Sequence, residues 1–309
     1  MMEAINRRKF LKYAASAVAI GAISVYGRAG YNDRKARTPN PKVARDFLKI
    51  QYRTKLEEAT GGTLEFLKRV YDVEVDTETD FSGTGNRISA EELSFEEKKE
   101  SLLWLREEVV KYPPTLVRHI SGLRKIKVLK NVYLDDKPVG GFSTDGEMVI
   151  SLDRGASQRF TWGGIYHFSL EGNSLFSGIF HHEFSHNLQS WNMTQEDYSE
   201  WIELNPEGRN AYSKYNPSII LNTLNSPDFK ASGFLCENSM KDEKEDQADI
   251  ARLLMTESDW MISSFKEDAV LASKIEKCRE YYYRWSGGKM NEMYWRDLSE
   301  DMIKEGYWD

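Results

Sequence analysis

The clearest chemical feature of the sequence is a pair of histidines at helical spacing with a glutamate after the first. The segment reads HEFSH and contains His182, Glu183 and His186. Positions i and i+4 share one face of an α-helix, so the two imidazoles can converge on a single metal ion. A glutamate next to the first histidine can act as general base toward a water on that metal. We predict that His182 and His186 bind one zinc ion per chain and that Glu183 is catalytic.

A purely structural helix is the alternative interpretation of this segment. In that case the two histidines would only form hydrogen bonds inside a core. Burying a charged glutamate and two imidazoles without a partner is costly, which favours the metal site. His181 points about 100° away from His182 on a helix, so it is expected to pack or to support the site. His119 and His167 lack a partner at suitable spacing and are expected to be surface or core residues.

A catalytic zinc site needs a third protein ligand. None of the five histidines follows His186, so a carboxylate is expected to complete the site. Glu245 and Asp249 share a helix face, so Glu245 could bind the metal while Asp249 accepts a hydrogen bond from a liganding histidine. The alternative for Glu245 is an acidic helix N-terminus that complements the helix dipole. Four other acidic residues are expected to form a solvated surface: Glu196, Glu200, Glu203 and Glu207.

Two predicted helices carry these residues. The first spans 176–191 and has an apolar face at three-to-four spacing, which we expect to be buried. The members of this face are Leu175, Phe176, Ile179, Phe180, Phe184 and Leu188. Helical structure is predicted again from Lys244 to about Tyr283, where the aromatic run at 281–285 is expected to pack against neighbours.

Further helices are predicted before the motif. Residues 43–71 show helical apolar spacing that is broken at Gly61-Gly62, which indicates two helices. Ser94 and Glu97 form a capping-box pattern at the start of another helix. The prolines at 113–114 end that helix.

Two strands are predicted between the capped helix and the motif. Residues 126–134 and 147–152 are short runs rich in β-branched side chains. A turn that contains Gly140 and Gly141 is expected to join them. A helix-rich chain with a small sheet belongs to the α+β class.

The composition excludes several classes of function. The chain has 309 residues with 40% hydrophobic and 12% aromatic residues, which predicts a folded body and not a disordered one. A net charge of −7 and a pI of about 5.5 provide no basic field, so nucleic acid is not an expected partner. Cys236 and Cys278 allow at most one intrachain disulfide and cannot form a cysteine-based zinc knuckle.

The N-terminus has the pattern of an export signal. Residues 6–12 read NRRKFLK and precede an uncharged apolar stretch. This pattern resembles the twin-arginine signal, which has Ser or Thr where Asn6 stands. The stretch is shorter than the roughly 20 residues that span a bilayer. We therefore predict a signal at 1–29, a linker at 30–42 and a metallopeptidase domain at 43–309.

The signal resemblance also implies a location and a partner. The protein is expected to pass through the twin-arginine export machinery and to be extracytoplasmic or secreted. Membrane contact is expected only through the signal segment, which would act as a tether if it is not cleaved.

Two segments together resemble zincin metallopeptidases, in the group that includes the catalytic domain of anthrax lethal factor and bacterial zinc-binding metallopeptidases. The segments are HHEFSHN and GFLCENSMKDEKEDQADIARLLM. The resemblance implies an α+β, gluzincin-like fold that is helix-rich, with a small mixed sheet and an HExxH active-site helix. It also places Glu245 at the third zinc ligand and Asp249 at the last acidic position of the second motif.

One position departs from the pattern of this group. Asn238 stands where the group has a tyrosine thought to hydrogen-bond the tetrahedral oxyanion. An Asn amide can also donate to an oxyanion, but its reach is shorter and it cannot give up a proton. Tyr212 and Tyr215 are candidate replacements. The resemblance further implies that the strand at 147–152 lies at the sheet edge and pairs with an extended peptide.

The leading hypothesis is an exported zinc-dependent endopeptidase that acts on a peptide or protein substrate. Glu183 would deprotonate a zinc-bound water, which attacks the peptide carbonyl, and would pass the proton to the leaving amine. A second hypothesis, motivated by Asn238, is a zinc-binding envelope or surface protein with this fold and little hydrolytic activity. A third is a structural region that binds no zinc.

Overall fold

In the computed structural model, the described part of the chain is helix-rich and contains a small mixed sheet, in agreement with the predicted α+β class. The described residues are 53–79, 87–144, 146–152, 157–162, 165–213, 233–236, 238–265 and 268–308. The chain after Thr54 forms one compact unit. The predicted signal, the predicted linker and Tyr215 lie outside the described residues.

The α-helices account for about half of the described residues. In chain order they are α1 (53–59), α2 (Thr63–Phe66), α3 (Phe95–Val109), α4 (Gly172–Asn192), α5 (Gln195–Glu203), α6 (Asn210–Ser213), α7 (Glu243–Thr256), α8 (Ser258–Ser264), α9 (Ala269–Trp285) and α10 (Glu292–Ser299). The predicted break between α1 and α2 is present, and Gly61 and Gly62 adopt φ angles of 61° and 82° there. No helix in the described ranges is both long and apolar enough to cross a bilayer.

The strands form a six-stranded mixed sheet and a separate two-stranded hairpin. They are β1 (Glu74–Asp76), β2 (Ile88–Glu91), β3 (Lys125–Leu134), β4 (Lys137–Pro138), β5 (Gly141–Thr144), β6 (Glu147–Ser151), β7 (Ser157–Trp162) and β8 (Ile165–Glu171). In the larger sheet the order is β1-β3-β6-β5, and β2 and β4 also pair with β3. Strand β3 runs parallel to β1 and β6, whereas β5 is antiparallel to β6.

Two expectations about the strands were wrong. Gly141 does not lie in a turn, because it begins β5 and pairs with Ile150 of β6. The predicted strand at 147–152 is not at the sheet edge, because β6 has β3 on one side and β5 on the other. A parallel pair such as β3 and β6 needs a long connection, and this connection supplies β4 and β5. Within the described residues, β5 is therefore the edge strand beside β6.

The capping box predicted at the start of α3 is present. The Glu97 amide donates to Ser94 Oγ at 3.3 Å, and the Ser94 amide donates to the Glu97 carboxylate at 2.8 Å. These two bonds satisfy backbone donors that have no partner within the helix. They define where α3 begins and hence which of its side chains face α4.

Helix α4 contains the whole HEFSH segment and buries the predicted apolar face. Phe176, Phe180, Phe184 and Leu188 are each at most 1% exposed and belong to the main core. The Phe184 ring lies 4.4 Å from the Tyr112 ring, between their centroids. This packing sets the rotation of α4 about its axis, and with it the direction in which the motif side chains point.

The predicted helical stretch from Lys244 to Tyr283 is divided into three helices. Glu257 leaves the helical region with φ −138° and ψ 45°, so α7 ends before it. A new N-cap starts α9, where Asp268 accepts hydrogen bonds from the Val270 and Leu271 amides. The division lets α9 pack back on α7. Tyr281 and Tyr282 are buried, as expected for the aromatic run, while Tyr283 is exposed.

Candidate metal centre

Helices α4 and α7 bring three metal-binding side chains together. His182 Nε2 lies 3.1 Å from both His186 Nε2 and Glu245 Oε2. His186 Nε2 lies 3.7 Å from Glu245 Oε1. The position of Glu245 follows from the N-cap of α7, because Asp242 accepts hydrogen bonds from the Lys244 and Glu245 amides at 2.9 Å. Glu245 thus stands in the first turn of α7, facing the two histidines.

The spacing of these atoms fits a tetrahedral zinc ion. Zinc bonds of about 2.0–2.1 Å at tetrahedral angles place neighbouring ligand atoms about 3.4 Å apart. The observed separations of 3.1 to 3.7 Å lie around that value. Two histidines and one glutamate are also a known ligand set of catalytic zinc sites. The residues present therefore fit the metal that the sequence predicts.

The charges of the three groups are also suited to hold a cation. Burial lowers the pKa of His182, but contacts with Asp249 and Glu245 outweigh burial and raise that pKa to about 9. Burial raises the pKa of Glu245, but His182 and His186 hold it well below its usual range. An ionised carboxylate and two imidazoles thus surround a point where positive charge is favourable. A bound divalent ion would supply this charge.

Asp249 contacts the ring nitrogen of His182 that does not face the other two candidate ligands. Its Oδ1 is 3.1 Å from His182 Nδ1 and 2.8 Å from Arg252 Nη2. Its Oδ2 accepts from Ser239 Oγ at 2.8 Å and from Cys236 Sγ at 3.0 Å. Asp249 has no exposed surface, and these contacts hold its pKa well below the usual range despite burial. An ionised Asp249 orients the His182 ring, as a carboxylate commonly does for a metal-binding histidine.

Gln189 has the corresponding position beside the second histidine. Its Oε1 lies 3.3 Å from His186 Nδ1, and its Nε2 donates to the Lys244 carbonyl at 3.1 Å. Gln189 is 1% exposed. The side chain therefore connects the ring of one candidate ligand on α4 to the first turn of α7, where Glu245 lies.

Glu183 lies beside the ligand cluster and is 6% exposed. Burial raises the pKa of Glu183, while His182, His186 and the Ser143 hydroxyl oppose the rise. Ser143 Oγ lies 3.2 Å from Glu183 Oε2 and 2.8 Å from the Glu183 carbonyl oxygen. A buried carboxylate with a raised pKa beside a metal site is the arrangement expected of a general base.

Asn238 directs its amide toward two carboxylates. Its Nδ2 lies 2.5 Å from Glu245 Oε2 and 3.4 Å from Asp249 Oδ2, and its Oδ1 accepts from Lys241. In this arrangement Asn238 holds the candidate ligand Glu245 in place. The oxyanion role predicted for Asn238 requires its amide to leave these carboxylates.

Tyr212 takes part in a different buried cluster. Its hydroxyl donates to Asp246 Oδ2 at 2.8 Å. The same oxygen receives a hydrogen bond from Trp201 Nε1 at 3.0 Å and lies 2.7 Å from Lys274 Nζ. Asp246 and Lys274 have no exposed surface. The structure thus gives Tyr212 a packing role, in a cluster that ties α7 to α5, α6 and α9.

His181, His119 and the two cysteines lie outside the ligand cluster. His181 is fully buried and contacts Tyr112 and Glu108, in agreement with the expected packing role. His119 is exposed, and the side chain of His167 is outside the described residues. Both cysteines are free thiols.

Ser143, Asn187 and Gln189 are the functional candidates that sequence reasoning missed. Gln189 stands three residues after His186, and Asn187 four after Glu183, so helical spacing was an available signal for both. Ser143 is 40 residues from Glu183, and its role depends on where β5 crosses α4. No local pattern marks such a residue.

Comparisons with known proteins add one similar structure to this description. The chain is similar to a crystal structure from Bacteroides caccae ATCC 43185, described as "a putative zinc-binding metallo-peptidase". The TM-score is 0.41 and the sequence identity is 15%, over 82% of this chain and 97% of that chain. No protein-family model and no curated protein sequence matches the chain. The function of this chain is therefore inferred from the geometry of its own site.

Proposed function

We propose that the protein is a zinc-dependent hydrolase of peptide bonds. The observation that carries the proposal is the convergence of His182, His186 and Glu245 at tetrahedral ligand distances, with the buried carboxylate of Glu183 beside them. Two imidazoles and a carboxylate leave a fourth position open on a tetrahedral metal, which a catalytic site requires and a closed structural site lacks. The proposed activity is that of a zincin-like endopeptidase.

Each residue has a separate task in the proposed reaction. Zinc held by His182, His186 and Glu245 would polarise the peptide carbonyl and make a water more acidic. Glu183 accepts the proton of the attacking water and then delivers it to the nitrogen of the leaving amine. Asp249 and Gln189 hold the two imidazole rings in orientation, so that their Nε2 atoms face the same point.

The proposed substrate is an extended peptide that pairs with β5. Among the described strands, β5 is a sheet edge that lies beside Glu183, since Ser143 on β5 contacts that glutamate. An unpaired strand edge offers backbone donors and acceptors to a segment of any sequence. Pairing there would bring a peptide carbonyl near the motif helix α4.

Export is proposed on the basis of the N-terminal sequence. The NRRKFLK segment and the apolar stretch after it support passage through the twin-arginine machinery and an extracytoplasmic or secreted location. This route carries folded proteins, so zinc would be loaded before export. Nucleic acid is not proposed as a partner, given the net charge of −7.

Zinc analysis and peptide cleavage test the proposal with two variants. We expect about one zinc per chain in the wild-type protein and much less in Glu245→Ala. We expect cleavage of a mixed peptide library by the wild-type protein, and its loss in Glu183→Gln with zinc retained. Glu203→Ala, at an exposed position of α5, is the control and should match the wild type in both assays. Absence of zinc from the wild-type protein would overturn the proposal.

A zinc-binding protein with little hydrolytic activity is the second candidate function. The contacts of Asn238 favour it, because both carboxylates beside this amide compete with an oxyanion for its hydrogens. Its signature would be full zinc occupancy, loss of zinc in Glu245→Ala and no turnover of any library peptide. Turnover that disappears in Glu183→Gln would exclude this candidate.

A further inference from the structure

The edge strand β5 contacts the candidate base through two residues on one of its faces. Ser143 Oγ lies 2.8 Å from the Glu183 carbonyl oxygen and 3.2 Å from Glu183 Oε2. A Cβ added at Gly141 would lie 3.0 Å from Glu183 Cγ, so this glycine lets the glutamate side chain run directly against the strand. Phe142, on the opposite face, packs into a separate apolar cluster. The face toward α4 is thus shaped around Glu183.

Asn187 affects which oxygen of Glu183 accepts the hydroxyl hydrogen of Ser143. Its Nδ2 lies 3.0 Å from Ser143 Oγ and 3.2 Å from the Glu183 carbonyl, and Asn187 is 2% exposed. An amide nitrogen carries two hydrogens, so Asn187 can donate to both oxygens at once. With the carbonyl already satisfied by Asn187, the single hydrogen of Ser143 is available to the carboxylate of Glu183.

Resting on the hydrolytic function proposed above, we infer that Ser143 is the positioning residue for Glu183. The carboxylate of a glutamate turns freely about its last bond unless a donor holds it. A divalent ion held by His182, His186 and Glu245 would attract this carboxylate toward the ligand set. The bond from Ser143 holds Oε2 on the side of β5 and leaves the other oxygen free to take the proton of the attacking water. In the proposed function, a peptide would bind to the same strand that orients the base.

Kinetics of Ser143 variants form the first part of the test. In Ser143→Ala we expect kcat to fall about 10-fold or more while KM changes less than about twofold, because orientation of the base is lost and the strand backbone remains. Ser143→Thr keeps the hydroxyl and suits a strand, so it should recover most of kcat. Ser143→Cys retains only a weak donor and should be intermediate. Ser199→Ala is the control, since Ser199 is exposed and its hydroxyl donates to a carbonyl of its own helix at 2.9 Å.

The visible absorption of the Co²⁺-loaded protein is the second part, and it does not depend on turnover. A carboxylate that turns into the ligand set raises the coordination number and alters the d–d spectrum. We expect an altered spectrum in Ser143→Ala and the wild-type spectrum in Ser143→Thr. If Ser143→Ala fails to fold, Ser143→Cys carries the test through its kcat and its spectrum.

The outcomes separate this inference from the proposed function. Wild-type kcat and an unchanged Co²⁺ spectrum in Ser143→Ala would overturn the role of Ser143 while peptide hydrolysis stands. A rise in KM with unchanged kcat would likewise overturn it and assign Ser143 to substrate binding. A wild-type protein that binds Co²⁺ without cleaving any peptide would remove the hydrolytic function, and with it the positioning of a base. A wild-type protein that takes up no metal would remove both.

Discussion

Several of the polar contacts around the metal centre converge on Asp249. It is fully buried, and its two oxygens contact His182, Arg252, Ser239 and Cys236. Asp249→Asn keeps the shape but removes the charge that orients the His182 ring. We expect zinc affinity to fall about 10- to 100-fold, measured by competition with a chromophoric chelator.

Asp135→Asn is the matched control for this measurement. Asp135 is exposed and has a φ of 49°, a conformation that Asn adopts readily. Its substitution should leave zinc affinity unchanged. Equal affinities in the two variants and the wild type would show that the contact between Asp249 and His182 does not support metal binding.

Strand β5 depends on a glycine where it crosses helix α4. A Cβ at Gly141 would lie 2.7 Å from the Val149 carbonyl oxygen and 2.8 Å from Ile179 Cγ2. The carbonyl belongs to the sheet backbone and cannot move aside, so β5 must shift outward. We expect Gly141→Ala to lower the free energy of unfolding by about 1–3 kcal/mol, measured by urea denaturation.

The adjacent glycine provides the comparison. A Cβ at Gly140 would meet only the end of the Ile179 side chain, at 3.3 Å or more, and this flexible group can give way. Gly140→Ala should therefore change the free energy of unfolding by less than about 1 kcal/mol. The same small effect of both substitutions would contradict the close approach of β5 to α4.

At the scale of the whole molecule, a buried polar network joins α3 to the motif helix. Glu108 Oε2 lies 2.7 Å from His181 Nε2 and 2.6 Å from Lys111 Nζ. The other ring nitrogen of His181 contacts the Tyr112 hydroxyl at 2.7 Å. Burial raises the pKa of Glu108, but His181 and Lys111 outweigh burial and lower that pKa to about 2. In the folded protein the Glu108 carboxylate thus stays ionised at acidic pH values at which it would be protonated in the unfolded chain.

This network predicts a loss of stability in acid. A carboxyl whose pKa is lowered on folding contributes stability above its unfolded pKa of about 4.5, and this contribution is lost as pH falls toward its folded pKa of about 2. Glu108→Gln should lower the free energy of unfolding at pH 7 and flatten its fall between pH 4.5 and 2, measured by urea denaturation across that range.

Glu107→Gln is the control for this pH dependence. Glu107 is exposed as a residue, but its carboxyl is partly buried. This burial and the nearby Glu108 raise the pKa of Glu107, so its contribution to the pH dependence of stability has the opposite sign. This variant should retain the acid-side loss seen in the wild type. An equally flat profile in both variants would assign the acid sensitivity to other groups.

Features within a single element were predictable from spacing alone. The shared helix face of His182 and His186, the capping box of Ser94 and Glu97, and the buried apolar face of α4 follow from helix geometry, which depends only on residues up to four apart. The breaks between consecutive helices were less predictable. The end of α7 at Glu257 depends on how α9 packs back on α7, which no local pattern specifies.

Only the tertiary structure decided which distant residues surround the motif. It placed Glu245 against the two histidines, gave the sheet edge to β5 and not to β6, and set Ser143 on Glu183 across 40 residues of sequence. The sequence by itself determined the types and local spacing of the chemical groups. Their mutual distances depend on the packing of helices and strands around a common core, to which many side chains contribute at once.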